Sequence, residues 1–469
     1  MHLKMKVEFD PTIQAFESQF VELIRRRLGI VMHVHQHYEL YKTIQEACTK
    51  FSLTPAEYLS QLADCPTQSP LLHFLVAGIT VGETYFFRDQ QQMQLLQHYI
   101  LPDIIKKKRE TNSLSIRIWS AGCATGEEIY SIAMMLSEIL PDIGNWTIKL
   151  LATDVNTTVL QKAIKGTYTE WSMRSISDYF KQKYFQKETR YYQIAQTIKE
   201  MVNFDYLNLN DDNYPSIFNG TNAQDLIICR NVLIYIDNET CHRIMLGLNK
   251  SLVQEGYLML GASDPINIAK TDFVFHAQRG SLFTRRLTEK LQPVITTTKT
   301  IINPATKIIK ITKKIEPKIK KLEKIKKIEK IETIKQDLVT RATDLANMGK
   351  LNEAIKLCEE GFRLEPTNKL NYFTYGLTLS ELNRLPEAES ALRKTLFLDN
   401  QFVAGHFQLG LLLLRKNQHE AGLKSLKNAL AIAESKQQQE VVPGSQGLCY
   451  KDFADILRNE INLHITIGS

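Results

Sequence analysis

The side chains whose types and placement can do chemistry are Arg88, Glu127, Glu128, Asp154, Arg230, Asn231 and Tyr235, spread over the first half of a 469-residue chain. Glu127 and Glu128 follow the small-residue run Ser120-Ala121-Gly122-Cys123-Ala124-Thr125-Gly126. A pyrophosphate at such a loop needs bare amides and positive potential at the helix start. Two carboxylates there suit a cation better, and S-adenosylmethionine carries an ammonium and a sulfonium. Gly122 and Gly126 stand four apart with no G-x-G-x-x-G, so the dinucleotide fingerprint is absent. On this stretch alone the glutamates equally fit a plain complement to the helix dipole. Asp154, 32 residues after Gly122, can accept both hydroxyls of a ribose. It can also cap a helix beginning at Thr157, and the two roles are compatible.

These residues need elements to hold them. Ile116–Trp119 reads as a buried strand, and Ile129, Ile132, Ala133 and Leu136 follow at helical spacing. Trp146–Ala152 reads as a second strand ending at Thr153-Asp154, and Val202–Tyr206 as a third, followed by Leu207-Asn208-Leu209. Leu226–Cys229 reads as a central strand that places Arg230-Asn231 at its carboxyl end, where open α/β sheets bind ligands. Tyr257–Leu260 before Gly261 is a later strand. No Ser-His-Asp, Cys-His or phosphate-loop pattern accompanies this β-loop-α order. Upstream, Thr80–Asp89 (TVGETYFFRD) reads either as an aromatic-packed hinge or as a cleft wall in which Phe86 and Phe87 flank an anion held by Arg88.

The first 80 residues read as helices. Phe16, Phe20, Leu23 and Ile24 form a stripe ending at Gly29, a C-cap glycine, with further helices over Tyr38–Phe51 and Thr54–Leu62, the latter with Pro55 in its first turn. Arg25-Arg26-Arg27 reads as a solvated helix end or as a dock for an acidic partner. Composition is that of a soluble protein, 43% hydrophobic and 23% charged, with no run long enough to span a bilayer and no signal-peptide core. Seven scattered cysteines without a C-x-x-C pair indicate neither zinc nor a disulfide framework, and a reducing cytoplasm is the expected compartment.

The net charge of +7 is local. Lys299–Lys335 holds 13 lysines against four glutamates, a surplus of nine, so the remainder is acidic by two. This Lys/Ile/Glu tract reads as a self-repelling linker; no aromatic interleaves it, which gives nucleic-acid stacking no support. Beyond it, Ala342, Gly376 and Gly410 recur every 34 residues, and Ala354, Ala388 and Ala421 at 34 and 33, each behind a glutamate. That is the tetratricopeptide period of paired helices stacked as a solenoid, which presents a face to peptides; Tyr450–Leu463 reads as its capping helix.

The motifs GETYFFRD, IRIWSAGCATGEEIYSIA, LATDVNT, the LNL at Asn208 and IICRNVLIYID resemble, in order and spacing, the CheR-type chemotaxis receptor methyltransferases, S-adenosylmethionine-dependent protein-glutamate O-methyltransferases. The resemblance covers roughly residues 10 to 290, and a C-terminal tetratricopeptide array is a known variant. It implies that Thr84 and Arg88 contact S-adenosylmethionine in the loop lined by Gly122, with Glu128 at the amino end, Asp154 at the ribose and Asn208-Leu209 on the adenine side. Arg230, Asn231 and Tyr235 would shape the entry of the substrate carboxylate, with Arg88, Arg230 and Tyr235 as the catalytic set and no metal. Gly82 departs from an asparagine common in the family and is the weakest of these cofactor contacts. A glutamate substrate is already ionised near neutral pH, so no catalytic histidine is required.

The resulting expectation is a helical domain over 1–85, a Rossmann-like α/β methyltransferase domain over 86–290, a lysine-rich linker over 291–336, about three tetratricopeptide repeats over 337–435, and a capping helix and tail over 436–469. The expected partners are the cytoplasmic part of a methyl-accepting receptor and an unidentified protein or peptide on the array, with no nucleic acid and no membrane insertion. A scaffold that binds the cofactor without turnover is the alternative.

Overall fold

The computed structural model describes residues 11–67, 69–265, 273–276, 282–285, 338–445 and 448–467. The lysine-rich tract and the first ten residues lie outside the described residues.

The N-terminal helices Glu17–Leu28, His37–Phe51, Pro55–Asp64 and Pro70–Ile79 close around Phe20, Ile24, Leu40, Ile44, Tyr58, Leu62 and Leu75. Their ends are set as the residue types dictate. Gly29 terminates the first at φ +71, and Thr54 and Glu57 form a reciprocal capping box at the third. The arginine cluster divides: Arg25 donates to Glu22 on the same helix, while Arg27 donates to the Leu62 carbonyl at 2.6 Å.

Next comes a helical stretch from Gln90 to Glu110, then a seven-stranded sheet. In chain order the strands are β1 Ser115–Ala121, β2 Thr147–Asp154, β3 Thr167–Tyr168, β4 Phe185–Lys187, β5 Tyr192–Ile194, β6 Val202–Tyr206, β7 Gln224–Cys229, β8 Leu252–Leu260, β9 Phe273–Phe275 and β10 Leu282–Arg285. The large sheet runs β6-β2-β1-β7-β8-β10-β9, parallel through β8 and antiparallel at β10 and β9. Alternate residues feed two layers. Ile116, Ile118, Leu150, Leu226 and Ile228 pack with Ile129, Ile132 and Leu136 of the helix Glu127–Ile139; Trp119, Leu151, Ile227 and Leu258 pack with Ile244, Met245 and Leu248 of the helix Asn238–Ser251. A small antiparallel sheet, β3-β5-β4, is inserted after β2. Its residue spacing does not stand out in the sequence.

The C-terminal region is a helical solenoid. Pairs form from residues 338–347 with Leu351–Leu364, from Lys369–Glu381 with Leu385–Leu398, and from Val403–Arg415 with His419–Ser435; Tyr450–Ile467 closes the array. The second helices begin at 351, 385 and 419, so the buried small position is Ala354, Ala388 and Gly422. This corrects the expected third member. Ala421 is exposed, because one residue of offset turns it a full 100° around the helix. A Cβ on Gly410 would meet Leu426 at 2.7 Å, which is why the close helix crossings demand small residues.

The array lies against the α/β domain. Among the described residues no helix lies between β6 and β7, and the segment there packs on helices from the start to the end of the array. Phe218 packs on Phe407 and Phe453, with ring centres 5.9 and 6.0 Å apart. Asn347 Oδ1 accepts from the Ile217 amide at 2.7 Å, and Asn222 Nδ2 donates to the Ala346 carbonyl at 3.3 Å. Glu381 pairs with both Arg117 of β1 and Lys149 of β2, the latter at 2.9 Å.

Candidate functional site

The carboxyl ends of β2, β1 and β7 lie side by side, and the loops leaving them interlock. Gly122 takes φ +81, and a Cβ there would fall 2.4 Å from Val232 Cγ2. Only glycine lets the loop after β1 approach the loop after β7. Asp154 ties the next pair of loops: its Oδ2 accepts from the Ala124 amide and its Oδ1 from the Asn156 amide, each at 2.9 Å. Each oxygen keeps further acceptor capacity. Burial pushes its pKa up, and the amides of Asn156, Ala124 and Val155 pull it down. The helix Thr157–Lys165 is capped instead by Asn156, whose Oδ1 accepts from Thr158 and Val159. Capping therefore does not occupy Asp154.

The two glutamates part company. Glu127 is 1% exposed, accepts from Thr125 Oγ1 at 2.6 Å and from Ser172 Oγ at 3.0 Å, and is pushed up in pKa by burial. It stitches the loop to the segment between β3 and β4 instead of facing solvent as a dipole complement. Glu128 turns to the site. Ser120 Oγ donates to its Oε1 at 2.8 Å and Arg230 Nη1 to its Oε2 at 3.1 Å.

Arg230 is the hub. Its side chain is 3% exposed, its Nη2 donates to the Arg88 carbonyl at 2.9 Å, and its Nε is buried with no partner among the described residues. Residue 88 thus reaches the hub through its main chain. The Arg88 guanidinium donates to the Glu83 carbonyl at 3.0 Å and lies 5.9 Å from the Tyr85 ring centre. Thr84 is half-buried beside it. The neighbouring aromatics are not cleft walls, contrary to one expectation. Phe86 is fully buried, edge-on to Tyr168 and Phe185, and Phe87 packs on Phe180. Left-handed backbone at Phe87 and Asp89, φ +55 and +63, accompanies this inward packing. At Gly82 a Cβ would come 3.0 Å from Val159 Cγ1, so a larger residue would press on the helix after β2.

The Asn208 side chain is engaged within the fold. Its Nδ2 donates to the Arg27 carbonyl at 2.9 Å and to Asp211 Oδ1 at 3.0 Å, and its Oδ1 accepts from the Asn210 amide. One bond pins the N-terminal helices to the loop after β6 and the other closes that loop on Asp211, so the side chain has no donor left for an adenine. Leu209 is half-buried, and its carbonyl accepts from the Tyr214 hydroxyl at 2.7 Å. Asn231 takes φ +59. Its amide donates to Asp264 Oδ2 at 2.6 Å, beside Gly261 N at 2.8 Å, while Ile234 N donates to Oδ1 at 3.2 Å. Asp264 was not singled out in sequence; its only signal is an acid shortly after the strand that ends at Leu260. Tyr235 sits in a short 3-10 turn, half-buried, its carbonyl accepting from Val31 at 2.8 Å. The arrangement gathers Gly122, Glu128, Asp154, Arg230, Asn231 and the Arg88 main chain, and turns the Asn208 side chain away. It can hold a ligand that offers a cation or donors to Glu128 and Asp154.

Residues 82–280 match the family described as the CheR methyltransferase SAM-binding domain. The chain is 37% identical over 212 residues to the chemotaxis protein methyltransferase of Borreliella burgdorferi, covering 45% of this chain and 73% of that protein. It is 30% identical to the chemotaxis protein methyltransferase of Escherichia coli K12, covering 55% of this chain and 86% of the other. Among solved structures, the type III secretion translocator chaperone SycD of Yersinia enterocolitica matches 29% of this chain and 94% of its own, at 13% identity and a TM-score of 0.26.

Proposed function

The chain belongs to the CheR family of chemotaxis protein methyltransferases, and from that premise we propose that the site at the ends of β1, β2 and β7 transfers a methyl group to a receptor glutamate, with S-adenosylmethionine as donor. When bound, the donor supplies an electrophilic methyl on a sulfonium. Glu128 would hold its amino end and Asp154 its ribose hydroxyls, both through acceptor capacity their present partners leave open. The Gly122 loop would give it close backbone access. Asn208 would serve the adenine side only through its main chain, together with Leu209, since its side-chain donors are spent.

The single observation that carries this reading is the buried Arg230. It is locked onto Glu128 and the Arg88 carbonyl, yet keeps an unpartnered Nε. A buried N–H without a partner costs about 1–3 kcal/mol, and a substrate carboxylate or the donor's own carboxylate would satisfy it. Arg230, with Arg88 and Tyr235 nearby in the same loops, would orient the incoming glutamate. That anion attacks without a general base, so the residues need only aim and desolvate one oxygen. Ester formation removes a negative charge from the receptor, which would relieve repulsion between its helices and shift a signalling equilibrium. Such a receptor segment and this enzyme would meet in the cytoplasm. Among the described residues no helix is long and apolar enough to cross a membrane.

Incubation with methyl-labelled S-adenosylmethionine and membranes bearing candidate receptors tests this. Base-labile label on a receptor, lost in Asp154→Ala and Arg230→Ala, is the expected result. Cofactor binding with no transfer to any receptor would favour the non-catalytic scaffold instead.

A further inference from the structure

The helical array does not close flush on the sheet. Between them lies a cavity of about 670 Å³, within the range of ligand sites and at a domain junction, where such sites concentrate. Its walls are Phe218 on the sheet side and Phe407, Leu411, Phe453 and Ile456 on the array side. Its charges are sorted into two poles. At one pole Arg117, Lys149 and Arg415 share a single carboxylate, Glu381. Arg117 has every nitrogen engaged, with Glu381, Gly220 O, Asn222 O and Asn222 Oδ1. Among the described residues Lys149 pairs only with Glu381, and the Arg415 guanidinium, at the exposed mouth, donates only to Ser380 Oγ at 3.2 Å. Burial and the two neighbouring guanidiniums outweigh Glu381 and hold Lys149 down at about 8. At the other pole stand Asp205 of β6 and Glu460 of the last helix.

Strand register gives the distance between the poles. Arg117 lies beside Lys149 and Asp205 beside Thr153, so the poles are four residues apart along β2, about 13 Å, on one face of the sheet. An extended peptide spans the same distance between residues i and i+4, whose side chains also share a face. We propose that this cavity is a site for an extended peptide carrying an acidic residue at the Lys149–Arg415 pole and a basic residue four positions away at the Asp205–Glu460 pole. The proposal rests on the reading that the array takes a peptide. The first helices of the second and third pairs and the last helix supply most of the cavity lining from the array, and solenoids present such a face to peptides.

The test is selection of a random heptapeptide phage library on the full-length chain, followed by binding measurements on Lys149→Met, Asp205→Asn and Arg415→Gln. Arg415→Gln, at the exposed mouth, perturbs folding least, and unchanged methyl transfer reports an intact fold in all three. Enriched peptides with an acid and a base four apart, weakened at least tenfold by each variant, are the expected result. Enriched peptides without that spacing, or indifferent to the three variants, would overturn this site while leaving the array a peptide binder. No enrichment at all would remove both readings.

Discussion

The two ends of the same parallel strands make opposite use of buried charge. At the carboxyl ends, Asp154 holds two amides and keeps acceptor capacity, and Arg230 binds Glu128 and a carbonyl but keeps Nε. At the amino ends, Arg117 spends all three nitrogens on Glu381, Asn222 and Gly220. Both sets are buried and bridge segments far apart in sequence. The difference is residual valence. A residue that joins domains, as Arg117 does, exhausts its polar groups, because any left over cost desolvation without return, whereas the neighbouring Lys149 and Arg415 line a cavity and keep some. A ligand site fixes its groups firmly and leaves some of that capacity for the ligand.

The sharpest way to break this comparison is Arg230→Ala. It strands Glu128, which is 13% exposed, without its cation, and losing one partner of a buried pair costs about 3–5 kcal/mol. Methyl transfer should fall by about 10²–10⁴-fold in kcat/KM. A rate within threefold of wild type would remove Arg230 from the site. The counterpart at the other end is Glu381→Lys, which puts a fourth positive charge among Arg117, Lys149 and Arg415. The unfolding free energy of the docked form should drop by a similar ~3–5 kcal/mol, read by denaturant melts, with kcat on a receptor almost unchanged. If Glu381→Lys abolished transfer while sparing stability, the joint would be part of the catalytic apparatus and the distinction would collapse.

Asp154→Asn comes next in size. One carboxylate oxygen becomes a donor facing the amide of Ala124 or Asn156, and the ribose loses a charged acceptor. Hydrogen bonds to charged groups are worth about 1.5–3 kcal/mol, so S-adenosylmethionine Kd should rise by about 10–100-fold in calorimetry, with the receptor KM little moved. An unchanged Kd would leave Asp154 as a loop tie only.

How much of this was legible in sequence follows the same division. The strand-loop-helix around Gly122, the strands ending at Asp154 and Cys229 and the 34-residue period are local patterns, and local patterns show in a linear string. Other surroundings were decided by partners far away in the chain. Asn208 was claimed by the carbonyl of Arg27, 181 positions upstream. Phe86 was drawn inward by Tyr168 and Phe185, and Asp264 gained its role only from the amides of Asn231 and Ile234. The docking of the array was invisible for the same reason. Arg117 and Glu381 are 264 positions apart, and neither residue type nor spacing announces their pairing. The offset from Ala421 to Gly422 is the smallest error of this kind: both residues are small, and only helix phase tells them apart.

Asp205 offers the finest test, since it lies on the strand layer that connects both ends. Burial, then the nearby Glu460 carboxylate, push its carboxyl up to about 7, against the donation from the Tyr206 amide. In the unfolded chain an aspartate ionises near 3.9. Between those values the folded chain binds more protons than the unfolded one, so stability is full below about pH 4, falls as pH rises toward 7, and is level above it. The Glu381 carboxyl, held at about 2 against its burial by Arg117 and Lys149, has the opposite sign: its contribution is present above about pH 4.5 and is lost as pH falls toward 2. Asp205 keeps part of its surface in water, so screening reduces its effect to about 1 kcal/mol, or about 2–4 °C in Tm. Asp205→Asn should therefore gain on wild type steadily from pH 4 to 7 in thermal melts and keep a constant lead above pH 8. Parallel melting curves across that range would mean that Asp205 ionises as it does in the unfolded chain and that neither burial nor Glu460 raises it.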